Sequence, residues 1–95
     1  MGHTPAKPQR LAEKLLSIRD MSGLSQNGMI RHLGLTGSLS RGSVSEFETG
    51  RREPSLLVLL KYARTAGVPM EMLIDDELDL PEELPPTRRN PRTKR

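Results

Sequence analysis

The sequence contains no cysteine. Disulfide frameworks and cysteine-ligated zinc or iron–sulfur sites are therefore excluded. Its two histidines, His3 and His32, are too few for an ordinary zinc site, and we expect neither a metal nor a cofactor. Aromatic residues make up only 2% of the chain. Leucine, isoleucine, valine and methionine must therefore fill the core.

Long apolar runs are missing as well. The longest, Leu56 to Leu60, has five residues, far short of the roughly 20 that span a bilayer. The residues from Met1 to Pro5 lack the apolar stretch of a secretory signal. We therefore expect a cytoplasmic protein with no membrane partner. A chain of 95 residues cannot enclose a large catalytic cleft and keep a core, so an enzyme is the class that fits least.

Charge is present in both signs but unevenly placed. Lysine and arginine outnumber aspartate and glutamate by 15 to 12, which gives a net charge of +3. Six acids fall in residues 75–83 and five cations in residues 88–95, with prolines that break helices among them. We predict a flexible arm over residues 1–8, a folded domain over 9–78 and a disordered charged tail over 79–95.

The apolar pattern of the domain predicts an all-α fold. Residues typical of strands are scarce, whereas Leu11, Leu15 and Ile18 form one stripe of a helix that leaves Arg10 and Lys14 on other faces. Serines suited to begin helices and glycines suited to end them mark the boundaries. The five helices are predicted over residues 9–21, 25–33, 41–49, 56–66 and 69–74.

Two of these helices carry expectations about burial. Val44 and Phe47 should face inward from the third helix. The fourth helix is so rich in apolar residues that most of them are expected to be buried. These residues are Leu56, Leu57, Leu59, Leu60 and Ala63.

Two short segments are distinctive in combination. Gly-Leu-Ser-Gln at residues 23–26 opens the second helix, and Glu-x-Gly-Arg-Arg-x-Pro-Ser at residues 48–55 connects the third helix to the fourth. Over about residues 9–74 the chain thereby resembles the lambda-repressor/Cro-like (XRE) helix-turn-helix family. The resemblance implies a compact five-helix domain that binds specific DNA sequences.

In that family the third helix is the recognition helix in the major groove, and the second crosses above it near the backbone. The resemblance therefore implies a transcriptional regulator, not an enzyme. It also implies a homodimer on a pseudo-palindromic site, with half-sites roughly 34 Å apart. Dimer contacts in the family often come from the last helices, which makes Val68, Pro69 and Met70 candidates.

The chain departs from the family at two places. Residues 34–40, between the second and third helices, form a turn about four residues longer than the usual three. Ile30 stands where the family has a small residue packed between the two helices. We hypothesise that the longer turn lets the third helix sit farther out and makes room for Ile30.

The resemblance implies three phosphate contacts. Gln26, at the start of the second helix, would bind a phosphate through its side chain. Arg51 and Arg52, after the third helix, would do so through their side chains and backbone N–H groups. The alternatives are an exposed polar residue and a solvated basic loop.

Base reading is expected on the outward face of the third helix. Arg41 can donate to guanine, and Ser45 and Glu46 share its face. Glu46 can accept from cytosine N4, or it can pair with Arg41 or Arg31 and only orient that arginine. The remaining predicted DNA-binding residues stand close to the backbone at the start of the helix: Ser40, Gly42 and Ser43.

Arg19 and Glu48 are predicted to have a structural role. In the family an arginine late in the first helix often pairs with a glutamate at the end of the third. Such an ion pair holds the recognition helix against the rest of the domain. The alternative is a pair of free surface charges.

A second function from another class stays open. The same fold can serve as a protein-interaction or antitoxin-like module. In that case the acidic segment over residues 75–84 would bind a protein partner through Leu78, Leu80 and Leu84. The segment can equally be a solvated linker, or a shield against non-specific DNA.

Overall fold

The structure, a computed structural model, describes residues 7–85, and within that range the chain forms helices and no β-strand. The predicted all-α architecture of five helices is confirmed. The helices are α1 (Leu11–Ser22), α2 (Gln26–Leu33), α3 (Arg41–Thr49), α4 (Leu56–Ala66) and α5 (Glu71–Ile74).

Local sequence signals set most of the helix ends. In α2, α3 and α4 the hydroxyl of the preceding serine accepts a hydrogen bond from the third helical N–H group, which has no partner inside the helix. These serines are Ser25, Ser40 and Ser55. The first four helices each end at a glycine with a positive φ, a conformation that carries no steric cost without a side chain.

The start of α1 differs from the prediction by two residues, and a distant side chain caps the two residues that precede the helix. The carboxylate of Asp76 accepts hydrogen bonds from the backbone N–H groups of Gln9 (2.9 Å) and Arg10 (3.0 Å). These bonds lower the pKa of Asp76. The helix begins at Leu11 and not at Gln9, and the two N–H groups that Asp76 binds belong to the residues just before it.

All five helices contribute to one core. Leu15 and Ile18 of α1, Met29 of α2, Tyr62 of α4 and Leu73 of α5 are completely buried in it. Phe47 joins them from α3. The core is thus mostly aliphatic and includes the chain's single tyrosine and single phenylalanine.

The burial predicted for the beginning of α4 is wrong. Leu56 is 74% exposed and Leu57 is 64% exposed. Only one face of α4 meets the core, and it holds residues spaced three and four apart. They are Leu59, Tyr62, Ala63 and Ala66. Leu60 is half-buried beside that face.

Lys14, which the sequence placed on a polar face of α1, is only 2% exposed. Its Nζ donates to the backbone carbonyls of Met72 (2.8 Å), Asp75 (2.9 Å) and Leu78 (2.7 Å). Burial lowers the pKa of Lys14, whereas the three carbonyl dipoles favour the charged form. The buried ammonium group thereby joins α1 to the end of α5 and the residues that follow.

The C-terminal segment, residues 75–84, folds back along α1. A guanidinium N–H of Arg10 donates to the carbonyl of Asp76 (2.8 Å), and Arg10 Nη2 lies 2.8 Å from the Asp79 carboxylate. Leu80 and Leu84 pack against the core. The first residues of the predicted tail thus make contacts with the domain.

Residues 1–6 of the predicted arm and 86–95 of the predicted tail lie outside the described residues. The basic run at residues 88–95 is among them. The division of the chain into arm, domain and tail stays a prediction.

The connection between α2 and α3 spans residues 34–40, as expected from its length in the sequence. Leu35 and Leu39 pack against the core at its two ends, and the carbonyl of Leu35 accepts from the backbone N–H groups of Ser38 and Leu39. Ile30 is buried, with 5% of its surface exposed. The connection is thus an ordered turn, and its coupling to Ile30 stays a prediction.

Candidate nucleic-acid interface

Helices α2 and α3 pack against each other, and the outer face of α3 is turned to solvent. Arg41 and Gly42 are exposed, and Ser45 and Glu46 are half-buried. Val44 and Phe47 point into the interior, as predicted. The arrangement leaves four residues of α3 on one accessible surface, with the arginine at the N-terminal end of the helix.

The first turn of α3 is closed by two serines. The Ser43 N–H donates to Ser40 Oγ (3.1 Å), and the two hydroxyl oxygens lie 3.2 Å apart. The Ser40 N–H points back to Ser43 Oγ at 3.5 Å. This reciprocal cap fixes the direction in which the recognition-helix candidate begins. Both serines lie at the accessible end of the helix, Ser40 exposed and Ser43 half-buried.

Glu46 organises the loop after α3. Its backbone carbonyl accepts from the N–H groups of Arg51 (2.9 Å) and Arg52 (3.2 Å). Those N–H groups already have an acceptor in the chain without DNA, and their contact with phosphate stays a prediction. The Glu46 carboxylate pairs with Arg52, with 2.9 Å between Oε1 and Nε, and not with Arg41 or Arg31 as the sequence suggested.

The side chains of Arg51 and Arg52 remain on the surface. Both residues are exposed, and the Arg52 side chain keeps 59% of its surface in solvent while it contacts Glu46. An exposed ion pair of this kind is held by a small free energy, so Arg52 can exchange Glu46 for another anion.

Arg19 and Glu48 form a paired contact between α1 and α3. Arg19 Nε lies 2.6 Å from Glu48 Oε2, and Nη2 lies 3.0 Å from Oε1. A third guanidinium N–H donates to the carbonyl of Leu24 (2.9 Å). The Glu48 side chain is 5% exposed and that of Arg19 is 18% exposed. The hydrogen bonds that Arg19 donates to Glu48 raise the pKa of Arg19.

Gln26 makes a contact that sequence analysis does not predict. Its Nε2 donates to Glu48 Oε1 across 3.3 Å. The predicted phosphate ligand of α2 is thereby linked to the ion pair that holds α3. No spacing or motif signals this link, because residues 26 and 48 meet only when the two helices pack.

The residues named as dimer candidates have different surroundings. Val68 and Met70 are half-buried against the core, whereas Pro69 is exposed. The most exposed leucines of the described chain are instead Leu56 and Leu57 at the start of α4.

The described part of the chain brings no three potential metal ligands of the His, Asp and Glu type together. Within residues 7–85, no helix combines the length and the apolar character needed to cross a bilayer.

Helices α2 and α3 pack against each other, and the accessible α3 begins at a serine cap and is followed by a loop with two arginines. This arrangement defines a helix-turn-helix unit. A protein-family model described as Helix-turn-helix (HTH_3) matches residues 15–73, more than half of the chain. The chain belongs to this lambda-repressor-like (XRE) helix-turn-helix family of DNA-binding regulators. No curated protein and no solved structure matches the chain.

Proposed function

We propose that this chain is a sequence-specific transcriptional regulator that reads the major groove with α3. The observation that carries the proposal is the accessible face of α3, which begins at Arg41 beside a serine cap. Gln26 meets α3 at Glu48, and the Arg51–Arg52 loop follows the helix. Side chains in the first turns of a recognition helix reach base edges, and neighbouring donors fix the register on the phosphates.

The roles divide between bases and backbone. Arg41 donates a bidentate pair to a guanine, and Ser45 reaches the next base edge. Glu46 accepts from cytosine N4 once Arg52 has moved to a phosphate. Gly42 allows the DNA backbone to approach closely.

Phosphate contacts come from both sides of α3. Gln26 donates from the start of α2, and Arg51 and Arg52 contribute charged side chains from the loop after α3. The hydroxyls of Ser40 and Ser43 stand at the start of α3, where each keeps hydrogen-bonding capacity beyond its partner in the cap.

The active form is proposed to be a homodimer on a pseudo-palindromic site in the cytoplasm, without enzymatic activity. Half-sites about 34 Å apart would present α3 of each protomer to the same face of the duplex. Pro69, exposed after α4, and its neighbours Val68 and Met70 are the proposed dimer contacts.

The test begins with selection of bound sequences from a random DNA pool. An enriched, two-fold related motif supports the proposal. Arg41→Ala is then measured against single-base variants of that motif, and we expect a loss of about 1–3 kcal/mol confined to one base position. Glu46→Gln is the companion variant. If both variants weaken all sequences equally, or if neither has any effect, α3 is not the reading element.

Salt dependence separates the rival function from this one. Binding through Arg51 and Arg52 releases counterions, so the affinity must fall steeply with salt. A protein-interaction or antitoxin-like module shows little specific DNA binding at any salt concentration. Leu80 and Leu84 already pack against the core, which leaves fewer leucines in residues 75–84 for a protein partner, and we therefore favour DNA.

A further inference from the structure

Glu48 receives hydrogen bonds from two side chains that have different tasks. Arg19 binds both of its carboxylate oxygens, and Gln26 shares Oε1 with Arg19. The Glu48 side chain is 5% exposed. A carboxylate this deeply buried, and held at both oxygens by a rigid guanidinium, has a fixed position. The Gln26 amide therefore donates to an acceptor that does not move.

This matters because a glutamine side chain is flexible. Three rotatable bonds let the amide of a free glutamine sample many orientations, and their loss on binding costs free energy. One N–H of the Gln26 amide is taken by Glu48, and the amide has a second N–H to donate. The orientation of this second N–H is set before any ligand arrives.

We propose that Glu48 is a positioning residue that aims the Gln26 amide at a DNA phosphate. This role rests on the proposed DNA-binding function. Glu48 belongs to the last turn of α3 and Gln26 to the first turn of α2. The contact therefore links the phosphate-binding side chain of α2 to the position of α3. Contacts to the DNA backbone and contacts to the bases are thereby aligned with each other.

A matched pair of variants isolates this role. Glu48→Gln and Glu48→Met both remove the charge that Arg19 binds, but only Glu48→Gln keeps an oxygen that can accept from Gln26. We expect Glu48→Met to bind the selected DNA about fivefold more weakly than Glu48→Gln, the size of one modest hydrogen bond. Glu71→Gln, which removes an exposed carboxylate of α5, is the control and is expected to leave the affinity unchanged.

The same pair is then made in a Gln26→Ala background. If Glu48 acts through Gln26, the difference between the two variants disappears there. If it acts only by holding α3 against α1, the fivefold difference persists and overturns the proposal. Urea unfolding of each variant shows that folded proteins are compared. Should Glu48→Met fail to fold, both Glu48 variants are combined with Arg19→Met, which removes the unpaired buried cation.

An NMR measurement on the free protein tests the contact without DNA. One side-chain amide proton of Gln26 should be shifted downfield and slow to exchange, and Glu48→Met should return it to the position of a solvent-exposed glutamine amide in a short unstructured peptide. Unchanged Gln26 signals in Glu48→Met overturn the proposal. If the unchanged chain selects no DNA, the proposed function fails and this role with it. If the chain binds DNA and the difference between the two Glu48 variants is the same with and without Gln26→Ala, only the role of Glu48 fails.

Discussion

The two ends of the α1 helix are held by different kinds of contact. At its C-terminal end, Arg19 binds α3 through the carboxylate of Glu48, a contact between two specific side chains. At its N-terminal end, Lys14 binds three main-chain carbonyls, and Asp76 binds two main-chain N–H groups. The Arg19–Glu48 contact holds α3 against α1. The contacts of Lys14 and Asp76, called the closing region below, hold the C-terminal segment, residues 75–84, against α1.

This difference separates two requirements. The interface needs α3 in one position but must leave its outer face in solvent, so the contacts that hold α3 lie on its inner side, through Val44, Phe47 and Glu48. No proposed binding surface lies around Lys14, and the backbone carbonyls there accept hydrogen bonds from Lys14 within the domain. We expect both regions to carry stability, the closing region somewhat more, and the Arg19–Glu48 region alone to carry DNA affinity as well. The following experiments rank the contributions to stability.

The largest effect is expected from removal of the C-terminal segment. A chain that ends after Ile74 loses the Asp75 and Leu78 carbonyls that bind Lys14, the Asp76 cap and the packing of Leu80. Urea unfolding should show a loss of more than about 3 kcal/mol.

A chain that ends after Leu80 is the control for this truncation. It keeps the cap and all three carbonyls, and it loses only the contacts of Leu84 within the described residues. We expect a loss of about 1 kcal/mol or less. Equal stability of the two shortened chains would mean that the segment does not close the fold.

The next largest loss of stability is expected from Lys14→Met. The substitution keeps an apolar stem of similar length but leaves three buried carbonyls without their donor, so the free energy of unfolding should fall by about 3 kcal/mol. Lys61→Met, at a half-buried lysine of α4, should stay within about 0.5 kcal/mol. A similar loss in both variants would place the Lys14 ammonium group in contact with water.

Arg19→Ala should cost slightly less, about 2–3 kcal/mol, because it leaves the Glu48 charge buried while Arg19 itself keeps 18% of its side-chain surface in solvent. Glu48→Ala added to it should not contribute its full separate cost. The exposed pair of Glu46 and Arg52 is the comparison, with an expected coupling below about 1 kcal/mol. Additive effects of Arg19→Ala and Glu48→Ala would contradict the buried pair.

The smallest effect concerns pH. The N–H groups of Gln9 and Arg10 lower the pKa of Asp76 in the folded chain. Its stabilising contribution is therefore complete above the ordinary aspartate pKa of about 4 and is lost as the pH falls through the lowered value. Asp76→Asn should reduce stability at pH 7 and flatten its decline in acid. Parallel stability curves for the two proteins would show that the cap contributes nothing.

The sequence predicted those features that depend on neighbouring residues. The serine caps and terminal glycines act within one turn, so they could be placed without a structure, and the stripe of Leu11, Leu15 and Ile18 follows from helical geometry alone. The exposed face of α3 was predictable in the same way, because Val44 and Phe47 mark the buried side.

The features that were missed depend on partners far along the chain. Lys14 meets carbonyls of residues 72, 75 and 78, and no local pattern shows that a lysine will be buried. Its spacing from Leu11 and Ile18 is the one available signal, since it places Lys14 at the edge of the buried stripe. The exposure of Leu56 and Leu57 was missed because an apolar helix does not reveal which face meets the core.

The triple contact of Lys14 also has an evolutionary consequence. Every residue type, proline included, carries the carbonyl oxygen that the ammonium group binds. Mutations at positions 72, 75 and 78 can therefore alter size, charge and polarity while the anchor survives. A related chain with the same anchor therefore need not share any of those three side chains.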